Sequence, residues 1–205
     1  MERRDFAALA AVLGENWCPA RLRDLLASQN SAVTALAARC LGLSGEREDR
    51  ALLAALLRHA SERVSAAAED GLWALWLRGG SVVGNQLLAL AVSCQRDDQP
   101  AEALSVLSDL TAAEPEFGEA QHQLALALHS LGRYREAVAA YERALAAEPQ
   151  HFAAAAGLGH AFVELGELER ALDNYERALR IHPRMPDICE VVPSLRSALG
   201  RRSVA

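Results

Sequence analysis

Apolar residues recur at helical spacing along nearly the whole chain, and short polar breaks cut the pattern into segments. "HSLGRYREAVAAYERALAAEP", His129 to Pro149, shows one such unit. A Gly stands at a break, small or apolar residues follow three and four apart, and a Pro ends the run. "VELGELERALDNYERALRIHP", Val163 to Pro183, repeats it 34 residues later. Ala120, Leu124, Ala127, Leu131, Gly132, Ala137, Tyr141, Glu142, Arg143, Ala144, Leu145 and Pro149 all recur at that distance. Spacings of three and four predict amphipathic helices. Gly132 and Gly166 fall between two helical runs, where a left-handed turn costs Gly least. Pro149 and Pro183 close the units, because Pro cannot continue a helix. Ala137 and Ala144 lie two turns apart and let two helices come close, with Tyr141 and Tyr175 filling the space beside them. A worn copy lies upstream: Leu90, Ala91, Ala103, Leu107 and Pro115 keep the phase. Asp98 takes the place of the turn Gly there, and Pro100 opens the second helix, where Pro is tolerated.

The first eighty residues carry a different period. At an offset of 31, Leu22, Leu25, Leu26, Val33, Ala35, Ala37 and Leu41 recur as Leu53, Leu56, Leu57, Val64, Ala66, Ala68 and Leu72. "AEDGLWALWLRGG" reads as the last helix of that part, ended by Gly79-Gly80.

A 34-residue helix–turn–helix with this Leu, Ala, aromatic and Pro skeleton resembles the tetratricopeptide repeat. The large aromatic of that pattern is replaced by Gln121 and Ala155, and the small residue after the Leu is Ala125, then Gly159. The 31-residue part looks like short bacterial HEAT-like repeats. The order of the two resembles a bacterial group of combined repeat proteins. The resemblance implies an all-α fold, a right-handed α-solenoid of HEAT-like units followed by tetratricopeptide units. The expected organisation is residues 1–80, HEAT-like with a capping helix over 3–13; then 81–185, in units 84–117, 118–151 and 152–185; then 186–205, a C-terminal cap and tail. Ile188, Val191 and Leu195 form the apolar stripe of that cap, and Pro193 is expected to break or kink it.

Composition narrows the function. The chain has 205 residues, 51% hydrophobic and 23% charged, as in an ordinary globular protein. All 21 basic residues are Arg, interleaved with acidic ones, and the net charge is −6. That is a solvated helix surface rather than the one-sided basic excess of a nucleic-acid binder. No apolar run approaches the length that spans a bilayer. "ERRDFAALAAVLGENW" faintly resembles a twin-arginine export signal, but its apolar stretch is short, and Phe6, Leu9, Ala10, Leu13 and Trp17 mark an amphipathic helix instead. Cys18, Cys40, Cys94 and Cys189 are too far apart for a zinc ribbon or a disulfide framework and read as reduced thiols. The expected location is the cytoplasm.

No catalytic motif is present: no G-x-S-x-G, no phosphate-binding loop, no H-E-x-x-H. No cofactor is implied. One helix pair cannot bury its own apolar face, whereas stacked pairs share a core and expose a long concave surface. Proteins of this class bind polypeptides there. The resemblance places the first helix of each unit on that surface, which gives Glu119, His122, Gln123, Leu126, His129 and Ser130, then Ala153, Ala156, Gly157, His160 and Glu164. The Ala and Gly members read either as room for a partner's side chains or as a shallow surface. An acidic chaperone tail is disfavoured, since its usual Lys/Arg/Asn clamp has no counterpart at these positions. The alternative function is a small-molecule or metal sensor, with His122, His129 and His160 in one groove and Glu164 a turn away. Trp73 and Trp76, one turn apart, read either as a binding patch or as packing where the repeat type changes.

Overall fold

The computed structural model describes residues 18–202 of the chain. Eleven helices, and no strand, run through the described residues. None is long and apolar enough to cross a membrane. The chain divides into two compact units between Trp76 and Leu77. The expected N-terminal capping helix lies outside the described residues.

The first unit holds α1 (Pro19–Leu25), α2 (Ser31–Ser44), α3 (Asp49–Leu56) and α4 (Glu62–Leu77). They form two hairpins that follow the 31-residue period. Each hairpin is tied the same way. The Thr34 hydroxyl donates to the Ser28 carbonyl at 3.1 Å, and its counterpart Ser65 donates to the Leu57 carbonyl at 2.9 Å. Arg23 forks onto the buried Asp49, joining α1 to α3. The guanidinium of Arg50 reaches the Leu75 carbonyl at 3.0 Å. α2 and α4 cross at Gly42 and Gly71, where backbones touch and a Cβ on Gly71 would lie 2.7 Å from the Ala38 carbonyl oxygen. Trp76 is buried and meets the half-buried Trp73 edge to face, with ring centroids 5.3 Å apart.

The second unit holds three hairpins and a final helix: α5 (Val82–Arg96) with α6 (Pro100–Ala113), α7 (Gly118–Ser130) with α8 (Tyr134–Ala147), α9 (Phe152–Glu164) with α10 (Leu168–Ile181), and α11 (Pro186–Arg202). All three turns are built alike. Asp98, Gly132 and Gly166 have φ of 57°, 71° and 75°. In each turn the next N–H reaches back to the helix it ends: Gln99 to Cys94, Arg133 to Leu128 and Glu167 to Phe162, at 2.8–2.9 Å. This is the Schellman arrangement, and it requires a left-handed residue at the position the repeat gives to Gly. Asp98 adopts it because Asp is among the few L-residues that tolerate this region.

The core is a column of small residues and tyrosines. Ala137, Ala144, Ala171 and Ala178 are fully buried, as are Tyr141 and Tyr175. Gln121, where the repeat favours an aromatic, is buried with its amide oxygen accepting from Arg143 at 3.0 Å. Leu90 departs from its period mates: Leu124 and Leu158 are buried, but Leu90 is 51% exposed. The last helix seals the column with Ile188 and Val192, while Val191 and Leu195 pack at its edge. Pro193 does not break this helix as the sequence suggests. The helix runs through it to Arg202, with Pro193 on the exposed side, where water can serve the freed carbonyl.

The turn geometry sets a stability test. A Cβ on Gly132 would meet nothing within 4 Å, so the cost of a side chain there is the backbone's alone. Gly132→Val should lower stability by about 1–3 kcal/mol and Gly132→Asn by clearly less, because only Asn accepts positive φ readily. Arg133→Ala, which removes a bond between two exposed partners, should stay within about 0.5 kcal/mol. Urea denaturation of the three variants gives the ranking.

Candidate functional site

The curvature of the second unit decides which face can receive a ligand. Its first helices, α5, α7 and α9, approach one another. Its second helices stand apart, with a cleft of about 300 Å³ beside α6 and α8 and its period mate of about 420 Å³ between α8 and α10. The first helices therefore line the concave side.

The eleven residues the sequence assigns to that side divide into two groups. Leu126, Ser130, His160 and Glu164 are exposed, and Gln123, His129 and Ala153 are half-buried. Val163, which sequence reasoning omits, is exposed beside them. Glu119, His122, Ala156 and Gly157 are buried and do not line an open groove. The reason for the last two is tyrosine packing. A Cβ on Gly157 would lie 2.5 Å from the Tyr141 ring, and one on Gly159 2.6 Å from the Tyr175 ring. The small residues of α9 thus make room for tyrosines from α8 and α10, not for a partner. Ala156, 6% exposed, belongs to the same buried face.

Glu119 and His122 are buried because they join a residue that sequence reasoning leaves out. His151, fully buried, caps α9: its Nδ1 accepts from the Ala154 N–H at 3.1 Å. In a neutral ring the proton then sits on Nε2, which donates to the Glu119 carboxylate at 2.8 Å. The other Glu119 oxygen accepts from the Gln123 amide at 2.7 Å and lies 3.3 Å from Nδ1 of His122. The two imidazoles lie 4.6 Å apart. Burial by itself would raise the Glu119 carboxyl, yet His122 and His151 hold it well below the ordinary carboxylate range. Burial pushes His151 the other way, down to about 4, helped by His122 and opposed by Glu119. The result is an ionised carboxylate in the core, surrounded by N–H groups, at the seam of the second and third repeats. Metal-ligating atoms of Glu119, His122 and His151 all fall within 4.8 Å of one another. The tautomer that caps α9 leaves no lone pair on Nε2 of His151, so the cluster as folded is a hydrogen-bonded carboxylate. Its period mates are Ala153, Ala156 and Met185 at the next seam and Asn85, Leu88 and Phe117 at the previous one. A polar set at one seam only is the signal that could have revealed it.

The histidines of the alternative reading therefore separate. His122 is in the core, His129 is half-buried and His160 is exposed. His160 Nδ1 pairs with the Tyr175 hydroxyl at 2.8 Å, and His129 meets the edge of Tyr134 at 5.1 Å. Burial, then the neighbouring His129, lower the pKa of His160, while Asp187 and Glu164 raise it.

Hairpins of this period, turn and curvature define the second unit as a tetratricopeptide-type solenoid. Residues 122–186 match the tetratricopeptide repeat family. No curated protein matches the chain by sequence. Among solved structures it is similar to the first tetratricopeptide domain of Spaghetti (RPAP3) bound to an HSP90 peptide, at 21% identity and a TM-score of 0.55, covering 57% of this chain and 93% of that one. It is similar to MamA at 21% identity and a TM-score of 0.56, covering 68% and 83%. The Yersinia enterocolitica type III secretion chaperone SycD, in complex with a peptide of the translocator YopD, is similar at 17% identity and a TM-score of 0.52, covering 62% and 97%. At these identities the likeness is one of fold.

The buried cluster makes stability depend on pH in a defined direction. In the unfolded chain His151 takes a proton near pH 6.5, whereas in the folded chain it resists until about 4. The unfolded state thus binds more protons across this window, so stability falls as pH drops from 6.5 to 4, by roughly 2–3 kcal/mol from this group. Glu119 acts in the same sense below its unfolded value of 4.5. His151→Asn keeps a capping side chain but removes the titrating ring. Denaturant melts at pH 7, 5.5 and 4.5 should show a flatter loss in this variant than in the wild type. An equal slope in both would mean that His151 is not the titrating group. Ala156→Arg should destabilise the fold by about 2 kcal/mol or more, since it forces a charge into a filled seam.

Proposed function

We propose that the chain is a non-enzymatic adaptor whose tetratricopeptide unit binds a polypeptide along the concave side of α5, α7 and α9. The observation that carries this is the exposed apolar pair Leu126 and Val163, each 38% exposed, on adjacent first helices with His160 beside them. Apolar side chains that a folded helix leaves in water, rimmed by polar ones, mark a contact surface. Two of the similar folds hold peptides, an HSP90 peptide in one and a translocator peptide in the other. In this chain α7 and α9 carry neither Lys nor Arg, so an acidic chaperone tail would lack a cationic clamp along these two helices. The first unit, with its 31-residue hairpins, is read as HEAT-like and adds further helical scaffold. Four cysteines that bond to no other cysteine support a cytoplasmic location.

Leu126→Glu and Val163→Glu should each reduce recovery of partners from the native host about tenfold in a quantitative pull-down, as loss of a central contact does. Thermal midpoints should change little, since both sites are on the surface. Asp173→Ala, in the cleft between α8 and α10, should leave recovery unchanged. Equal recovery with all three would move the binding surface elsewhere.

A further inference from the structure

One flank of α5 is built like the interior of the repeat stack but is left open. We infer that α5 pairs antiparallel with α5 of a second copy of this chain, through Val83, Leu87, Leu90 and Cys94. At the 34-residue period these positions are Phe117, Gln121, Leu124 and Leu128 on α7. On α9 they are His151, Ala155, Leu158 and Phe162. All eight of these mates are 6% exposed or less. The second helix of the preceding hairpin covers them, since α6 packs on α7 and α8 on α9. Leu104 and Ser108 of α6 line one cleft with Leu124 and Leu128, and Leu145 and Ala146 of α8 line the next with Leu158 and Phe162. α5 is the first helix of its unit, so no second helix of that unit precedes it. Val83 is 63% exposed and Leu90 51%, while Leu87 and Cys94 are half-buried.

The composition of α5 is also that of a covered helix. Its fifteen residues carry one charge, Arg96 at the end. α9, packed between α8 and α10, likewise carries one, Glu164. Among the described residues, nine large apolar side chains are exposed, and Val82, Val83 and Leu90 put three of them on α5. No other helix carries more than one. Exposed apolar side chains gathered on one uncharged helix mark a contact surface, whereas single scattered ones do not.

The occupant follows from the spacing. Val83, Leu87, Leu90 and Cys94 step by four, three and four residues, which is the apolar seam of a helix pair over two heptads. The seam is symmetric about its centre. In an antiparallel pair Val83 of one copy meets Cys94 of the other, and Leu87 meets Leu90. One surface then serves both copies, as a two-fold contact requires. Gln86 and Ser93, which flank the seam, are uncharged and repel nothing. A parallel pair would bring Arg96, Asp97 and Asp98 against their own copies, and like charges so placed disfavour a contact. The antiparallel pair keeps them at opposite ends and opposes the two helix dipoles.

The test uses the full chain with the exposed Cys18 and Cys189 changed to Ser. Sedimentation equilibrium from about 1 to 100 μM covers the affinities of a small interface, and a dimer is expected in that range. Leu90→Glu places a carboxylate in the seam twice per dimer and should weaken association at least about tenfold, with helix content unchanged. Leu126→Glu, on the concave side, should leave the dimer intact. Val83→Cys should give a disulfide-linked dimer under mild oxidation, because Cys94 of the second copy lies opposite it. Val83→Cys combined with Cys94→Ala should not. A chain that stays monomeric, or a dimer that Leu90→Glu leaves unchanged, overturns the pairing. So does a dimer that Leu90→Glu breaks but that Val83→Cys fails to cross-link, since the copies would then meet in another register. A monomeric chain whose partners from the native host are lost in Leu90→Glu and kept in Leu126→Glu overturns it in favour of another protein's helix.

Discussion

The second unit depends on one steric constraint: tyrosines from the second helices must enter the first helices they pack against, within a hairpin and across a repeat boundary. Tyr141 and Tyr175 occupy the volume that Cβ atoms of Gly157 and Gly159 would need. Large rings and absent side chains are two halves of a single fit: Tyr141 against Gly157 sets how closely two repeats stack, and Tyr175 against Gly159 sets the spacing of the two helices within one hairpin. Buried aromatic area supplies the stabilisation, and the glycines set how close the helices come. A comparable constraint operates in the first unit, where Gly42 meets Gly71. The curvature follows, since first helices drawn together leave second helices splayed, with clefts between them. The concave face is thus a consequence of packing and was free to acquire exposed Leu126, His160 and Val163.

Against this apolar column the Glu119 carboxylate is an exception that needs its own account. An ion in the core loses several kcal/mol of hydration, and only well-placed donors offset it. Here Gln123 donates from the same helix and His151 from the start of the next repeat, with His122 at 3.3 Å. Because His151 also caps α9, the carboxylate and the helix start hold each other in place. The seam between the second and third repeats is therefore joined by an ionic hydrogen-bonded set, whereas the matching positions at the next seam, Ala153, Ala156 and Met185, are apolar. At this seam the concave side is closed by polar structure, and the exposed Leu126, His160 and Val163 lie one to two helical turns further along α7 and α9.

The period, turn positions and paired hairpins were legible in the sequence. They depend on local rules: apolar spacing, Gly in a left-handed turn and Pro after a helix. Gly132 and Gly166 turn where expected, and Asp98 follows them. Pro193 marks where a local rule fails, since a helix held down by Ile188 and Val192 can carry a Pro on its wet side. Tertiary structure decided which groove positions face solvent. Glu119, His122, Ala156 and Gly157 have the periodicity of the concave face but are covered by side chains from neighbouring helices. Helical spacing states the direction in which a residue points, not which side chain of another helix covers it. The meeting of His151 with Glu119 is set by how one repeat stacks on the next, which only the folded chain determines.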